Sequence, residues 1–253
     1  MSSVSKELAL CQLLLSFSCD LRRRAACSGC RSRTIAVMST AAVFDLDRTL
    51  IAGSSAQTFG SMLHDVGIEL PAPPGQAAYF ALYERFGEDP LSMRLGRHAA
   101  RLFKGQPIAK VELAGRLAAD VLASNILPKA QAECDRHAAA GTVLVLATTA
   151  PQELAAPLAA RAGFDDVVCT QYNSPNGTYD GTNASPYLWA EAKAQAVASW
   201  AARSAVDLTA SFAYSDSWYD LPMLELVGNP VAVNPDVRLR LAARAKGWER
   251  RSW

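Results

Sequence analysis

The chain predicts an α/β fold: an open parallel sheet with helices on both faces and a helical cap inserted after the first strand. Short apolar runs alternate with helix-period stretches from Ala41 onward. Several of those runs end in an acid or a hydroxyl residue, as strands do when they feed a site at a sheet edge. One long interval between the first two runs carries helical periods and no strand. At 253 residues the chain can bury the core of one such domain with a modest insertion.

The first run, Ala41-Ala-Val-Phe-Asp45, reads as a buried parallel strand. Thr142–Thr148 is the second, Asp166–Thr170 the third, Ser211–Tyr214 the fourth and Val231–Val233 the fifth. Helices are expected from Gln152 to Ala162, closed by Gly163, from about Pro186 to Ala202, and from Leu221 to Val227. Asn176-Gly-Thr-Tyr-Asp-Gly181 carries two turn signals and predicts a small hairpin. Residues 41–55 and 141–253 make the expected core, and 56–140 the cap. Within the cap, helical periods cover Tyr79–Phe86, Ser92–Phe103, Ile108–Leu122 and Lys129–Ala139, punctuated by Pro71, Pro73, Pro74, Pro90, Pro107 and Pro128.

Residues 1–40 read differently. Six basic residues stand there against two acidic ones, a net of +4, which leaves 19 basic and 22 acidic residues, a net of −3, in 41–253. The folded part therefore lacks the basic face that nucleic acid requires. The apolar run Leu8–Phe17 is short of the roughly 20 residues that span a bilayer. Glu7 before it and Asp20-Leu-Arg-Arg-Arg after it are the wrong flanks for a signal peptide. The segment is expected to be a poorly ordered extension, or upstream sequence from an over-long start assignment, with Met38 as the natural alternative start. Four of the six cysteines lie in it, and Cys27-x-x-Cys30 has no second pair or histidine at zinc-ligand spacing. Cys134 and Cys169 in the body fit free thiols in a reducing, cytoplasmic setting.

The segment that carries chemistry is Phe44-Asp-Leu-Asp-Arg-Thr-Leu50. Two acids at i and i+2 after a buried strand point into the crevice where open α/β sheets bind ligands. An isolated acid pair of this kind more often caps a loop. Here Thr148 also ends a strand, Asp216 follows another with Asp220 four residues on, and Lys193 lies in the helix leading to that strand. A carboxylate can attack phosphorus and split hydrolysis into two easier steps. Yet a phosphate dianion approaching four acids meets a repulsion of about 4 kcal/mol per unit charge at 4 Å and an effective dielectric of 20. A hard divalent cation such as Mg²⁺ resolves this, with Lys193 adding positive charge and Thr148 a hydroxyl donor. Asp47 stands where it can protonate a leaving alkoxide and later deprotonate water.

These segments resemble the four motifs of the haloacid dehalogenase (HAD) superfamily, in its phosphoserine phosphatase-like subfamily IB. Phe44–Leu50 resembles the first motif, Ala147-Thr-Thr-Ala-Pro151 the second, Lys193 the third, and Tyr214–Met223 the fourth. The resemblance runs from about Ala41 to Asp236 and implies a HAD-like Rossmannoid sheet with a C1-type helical cap. It implies a Mg²⁺-dependent phosphomonoester hydrolase with Asp45 as nucleophile, Asp47 as acid/base, and Thr148 and Lys193 on the phosphate. The implied Mg²⁺ set is Asp45, the Asp47 carbonyl and Asp216, with Asp220 a ligand or a support to the ligands. The family's usual glycine after the second acid is here Arg48. An acid at position 47 favours phosphate esters over halides and phosphonates, whose cleavage needs no such proton donor. The implied substrate is a small phosphorylated metabolite. Phosphoserine phosphatases carry a glutamate soon after the first motif, and Ile51–Gln57 has none. Arg94, Arg97 and Arg101 are candidate substrate contacts on a cap helix, or else a solvated face. A phosphotransferase using the same phospho-enzyme, and a silent phosphate-binding module, are the competing readings.

Overall fold

A computed structural model describes residues 38–70 and 96–253. Six strands form one wholly parallel sheet in the order β3-β2-β1-β4-β5-β6. They are β1 (Ala41–Phe44), β2 (Val143–Pro151), β3 (Asp166–Thr170), β4 (Phe212–Ser215), β5 (Asn229–Val233) and β6 (Glu249–Arg251). The chain runs outward from β1 through β2 to β3, then returns to place β4 on the other side of β1. That reversal makes a crevice beyond the C-terminal ends of β1 and β4, the usual ligand site of open α/β sheets.

Both faces of the sheet are covered, which is why its strands read as continuous apolar runs. Ala42 and Phe44 of β1 face a cluster built with α1 (Ser55–Asp65), α2 (Ile108–Ser124), α3 (Pro128–Ala139) and α4 (Gln152–Arg161). Ala41 and Val43 face the opposite cluster, with α5 (Glu191–Arg203), α6 (Leu221–Leu224) and α7 (Val237–Lys246). The α/β class with helices on both faces is therefore as the sequence predicts. Within the expected cap interval, α1, α2 and α3 contribute Phe59, Val111 and Cys134 to the same cluster as β1 and β2. The stretch Tyr79–Phe86 and the first residues of Ser92–Phe103 lie outside the described residues, as do positions 1–37.

Some elements differ from expectation. β2 runs on to Pro151, and α5 begins at Glu191 rather than Pro186 because Ala190 adopts a left-handed φ of 53° that breaks the helical path. The sequence reading contains no α1, α7 or β6. Residues 176–181 do not pair into regular strands. A 3₁₀ turn covers Pro175–Gly177, and Tyr179 exchanges main-chain hydrogen bonds with Gly105 and Gln106 instead. Burial decides this: Tyr179 packs beside Phe103 and Tyr172, and its hydroxyl donates to Glu153 Oε1 at 2.7 Å.

The tightest helix contact is between α2 and α4. A Cβ on Gly115 would lie 1.9 Å from the Glu153 carbonyl oxygen, so only glycine lets the two backbones meet. On the same side of the sheet, Phe44 stacks on Tyr214 at 4.3 Å, and Trp253 leans on both. The Tyr214 hydroxyl donates to Glu133 Oε1 at 2.6 Å and lies 2.7 Å from His137 Nε2. Arg136 and Arg251 also pair with Glu133. Burial acts to raise the Glu133 pKa, but the hydrogen bonds from Arg136, Tyr214 and Arg251 overcome it and hold it at about 2. Burial and the Arg136 charge lower His137 to about 4.

Two stability predictions follow from this packing. Gly115→Ala would gain up to about 1 kcal/mol of helix propensity, but a clash with fixed backbone costs about 1–3 kcal/mol or more. Urea unfolding should show net destabilisation of about 1–2 kcal/mol; a raised midpoint would mean that α2 and α4 can part freely. His137 is neutral in the fold and protonates in the unfolded chain below about pH 6.5, so stability falls between pH 6.5 and 4. Glu133 adds a second loss as pH falls from its ordinary 4.5 toward 2. His137→Gln should flatten the upper step only, and an unchanged profile would assign that step to another group.

Candidate active site

The loop after β1 opens the site. The Asp45 N–H donates to the Tyr214 carbonyl at 3.0 Å, extending the β1–β4 pairing by one residue and aiming Asp45 into the crevice. The N–H groups of Leu50 and Ile51 then turn back onto the Leu46 carbonyl. Arg48 takes a left-handed φ of 61° within that turn, the conformation that a glycine adopts most easily. The Asp47 Oδ1 accepts from the Ser55 N–H at 2.8 Å, at the N-terminus of α1, where a carboxylate is electrostatically favoured.

Lys193 ties the site together. Its Nζ donates to Asp45 Oδ1 at 2.6 Å and to Asp220 Oδ2 at 2.7 Å, with a side chain only 2% exposed. The Ser215 hydroxyl adds a 2.7 Å bond to the same Asp220 oxygen. On the adjoining side Arg48 Nε donates to Asp216 Oδ2 at 2.8 Å, and the Asp216 N–H donates to Thr49 Oγ1 at 3.1 Å. Burial pushes the Asp45 pKa up to about 7; Asp220 and Asp47 push it the same way, and Lys193 opposes them. Thr148 lies buried within β2, three residues before its end, its Oγ1 accepting from the Ala150 N–H at 3.1 Å.

The structure thus joins Asp45, Lys193 and Asp220 directly and places Asp216 just after β4 and Thr148 within β2, the two strands that flank β1. Arg48 on Asp216, Thr49, Ser215 and the Ser55 N–H are contacts that sequence reasoning did not anticipate. Only Arg48 left a signal, as an arginine in the place of the family's glycine.

Among the described residues no three His, Cys, Asp or Glu side chains form a metal cage. The side chains of Asp45, Asp47, Asp216 and Asp220 are each turned to a partner: Lys193, the Ser55 N–H, Arg48, and Lys193 with Ser215. The donor chemistry still fits a hard cation, since every candidate ligand atom is oxygen. Four carboxylates against Arg48 and Lys193 leave a formal charge of −2, the complement of a divalent ion.

Residues 42–225 match the family model of the haloacid dehalogenase-like hydrolases. The chain belongs to that family. It is accordingly a hydrolase. The chain is similar to phosphoserine phosphatase SerB1 of Mycobacterium tuberculosis, at 37% identity over 225 residues, covering 85% of this chain and 71% of that one. A solved protein of unknown function from Bordetella pertussis superposes with a TM-score of 0.68 at 26% identity, covering 84% of this chain and 98% of that one. A phosphoserine phosphatase solved as a phospho-aspartyl intermediate analogue shares the fold, with a TM-score of 0.56 at 16% identity over 85% of this chain and 93% of that one.

The HAD loop around Arg48 sets two energies against each other. The left-handed backbone costs about 1–2 kcal/mol, whereas removing one partner of a buried ion pair costs about 3–5 kcal/mol. The side chains of Arg48 and Asp216 are 15% and 5% exposed, so the second effect should win. Arg48→Gly is expected to destabilise the fold by about 2 kcal/mol in EDTA, measured by chemical denaturation; unchanged or increased stability would rank the strain above the pair.

Proposed function

We propose that this HAD family member is a Mg²⁺-dependent phosphatase that hydrolyses small phosphomonoesters through an aspartyl-phosphate on Asp45. The observation that carries the reading is the buried Lys193 bridge between Asp45 and Asp220, beside Asp216 at the switch point of the sheet. The names of its relatives support phosphate-ester chemistry: besides SerB1, a Mycobacterium tuberculosis protein 32% identical over 213 residues is called a probable phosphatase.

In this reading an Asp45 carboxylate oxygen attacks phosphorus and the bond from phosphorus to the ester oxygen breaks. Asp47 gives its proton to the departing alkoxide. Water then attacks the aspartyl-phosphate, Asp47 takes the water's proton, and the bond from phosphorus to Asp45 breaks to release inorganic phosphate. Lys193 holds Asp45 in place and donates to a phosphoryl oxygen, as does the Thr148 hydroxyl. Asp45, Asp216 and the Asp47 carbonyl would hold Mg²⁺, which when bound supplies the positive charge that admits a phosphate dianion among carboxylates. Asp220, turned to Lys193 and Ser215, positions the lysine. Cys134 and Cys169 are buried free thiols, which supports the reducing, cytoplasmic setting. Among the described residues no helix is long and apolar enough to cross a membrane.

The test is phosphate release from a panel of phosphomonoesters with Mg²⁺ or EDTA. Asp45→Asn should remove more than about 10³-fold of the rate, as loss of a nucleophile does. Asp47→Asn should cost about 10²–10⁴-fold. EDTA should abolish release and Mg²⁺ restore it. Equal release by Asp45→Asn would remove the aspartyl-phosphate. Phosphate transferred to an added alcohol, with little released to water, would make the enzyme a phosphotransferase.

A further inference from the structure

We infer that Asn234 and Asp236, in the loop after β5, are positioning residues that fix the main chain carrying Asp47 and Asp216; the inference rests on the phosphatase reading. The loops after β1, β4 and β5 meet at the crevice, and hydrogen bonds join them into a closed ring. Asn234 Nδ2 donates to the Arg48 carbonyl at 3.4 Å. Arg48 Nε donates to Asp216 Oδ2, and the Asp216 carbonyl accepts from the Asp236 N–H at 2.9 Å. Pro235 alone separates Asp236 from Asn234, so the ring closes there. Pro235 is buried, and its own ring fixes φ between the two.

Each of the two residues is itself held from elsewhere. Asn234 takes a left-handed φ of 42°, which asparagine tolerates better than most residues. Its N–H donates to the Arg251 carbonyl at 2.9 Å, and its Oδ1 accepts from the Trp253 N–H at 3.0 Å. Asp236 caps α7, its Oδ1 accepting from the Leu239 N–H at 2.8 Å. Its other carboxylate oxygen accepts from the Trp218 N–H at 2.7 Å. Asp236 therefore grips the chain on both sides of Ser217, at the Asp216 carbonyl and at the Trp218 N–H. From that grip the 3₁₀ turn Trp218–Asp220 delivers Asp220 to Lys193.

The ring acts on main-chain geometry that the acids cannot set for themselves. The Arg48 N–H shares a peptide unit with the Asp47 carbonyl, and it donates to the Gly53 carbonyl at 3.3 Å. With Asn234 on the Arg48 carbonyl, the peptide units on both sides of residue 48 are tied down. The Asp47 carbonyl and the Asp216 carboxylate are two of the three groups assigned above to Mg²⁺. That ion demands near-ideal octahedral geometry, so a small tilt of either unit weakens its hold. Groups that orient metal ligands commonly account for about 10–100-fold in affinity or activity.

The experiment measures the Mg²⁺ Kd of the metal-free full chain by titration calorimetry, beside its thermal unfolding in EDTA. Asp236→Ser keeps a good cap for α7 but has no second oxygen for the Trp218 N–H. Asn234→Gly eases the left-handed backbone and removes the side chain that reaches Arg48. Each should raise the Mg²⁺ Kd by about tenfold or more. Phosphate release by each variant should recover as Mg²⁺ is raised. An unchanged Kd in either variant, once folded, would overturn the inference and make the loop structural alone, even with a lowered midpoint in EDTA. Mg²⁺-dependent release that still requires Asp45 would in that case leave the phosphatase reading intact. No Mg²⁺ binding by the wild-type chain would remove both readings.

Discussion

The ammonium of Lys193, buried between Asp45 and Asp220, is the constraint on which the site depends. Lys193 lies in the first turn of α5, where the helix dipole disfavours a cation by about 0.3–1 kcal/mol. Attraction to one carboxylate at 4 Å is worth about 4 kcal/mol at an effective dielectric of 20, and this lysine has two partners at shorter range. The bridge therefore prevails over the dipole. It joins the end of β1, the start of α5 and the turn after β4, which lie far apart in sequence. Without it, Asp45 and Asp220 would face each other unscreened in a buried crevice.

Arg48 applies the same logic to Asp216. The loop accepts a left-handed arginine because the side chain from that position reaches a carboxylate that is otherwise buried. Backbone strain of this kind persists when surrounding contacts over-determine it, and it gathers at functional sites. The two ion pairs give each strand-end acid of β1 and β4 its own side-chain cation, and the remaining −2 is what a divalent ion and a phosphate ester together would meet.

Much of this was legible in the sequence because it is periodic or terminal. Asp45 and Asp216 follow apolar runs and Thr148 ends one, so their shared edge follows from strand parity and chain order. Asp166–Thr170 matches β3 residue for residue. What escaped lacks such a signal. β6 is Glu-Arg-Arg, with no apolar residue, and is held by pairing with β5. α7 buries only Leu239 and Ala243 and exposes Val237 and Leu241, so its pattern does not point to a core. The pairing of Arg48 with Asp216 spans 168 residues, and no local period encodes it. The turn at 176–181 was readable as a turn, but the burial of Tyr179 decided where its backbone bonds went.

The charged cluster and a cavity beside it have different origins. The charged cluster is made by strand ends and main-chain turns, where moving one acid would misplace it against Lys193 or Arg48. Among the described residues, the cavity beside Asp47 is walled by side chains of α1, the 99–103 turn, α4 and the loops bearing Tyr172 and Tyr187. Phe59, Leu63, Phe103 and Leu154 also belong to the core cluster that covers β1 and β2, so packing limits what can replace them. Asp47 joins the two, bonded to the Ser55 N–H at the start of α1 and lining the cavity, so under the proposed phosphatase reading the acid/base would border the apolar wall.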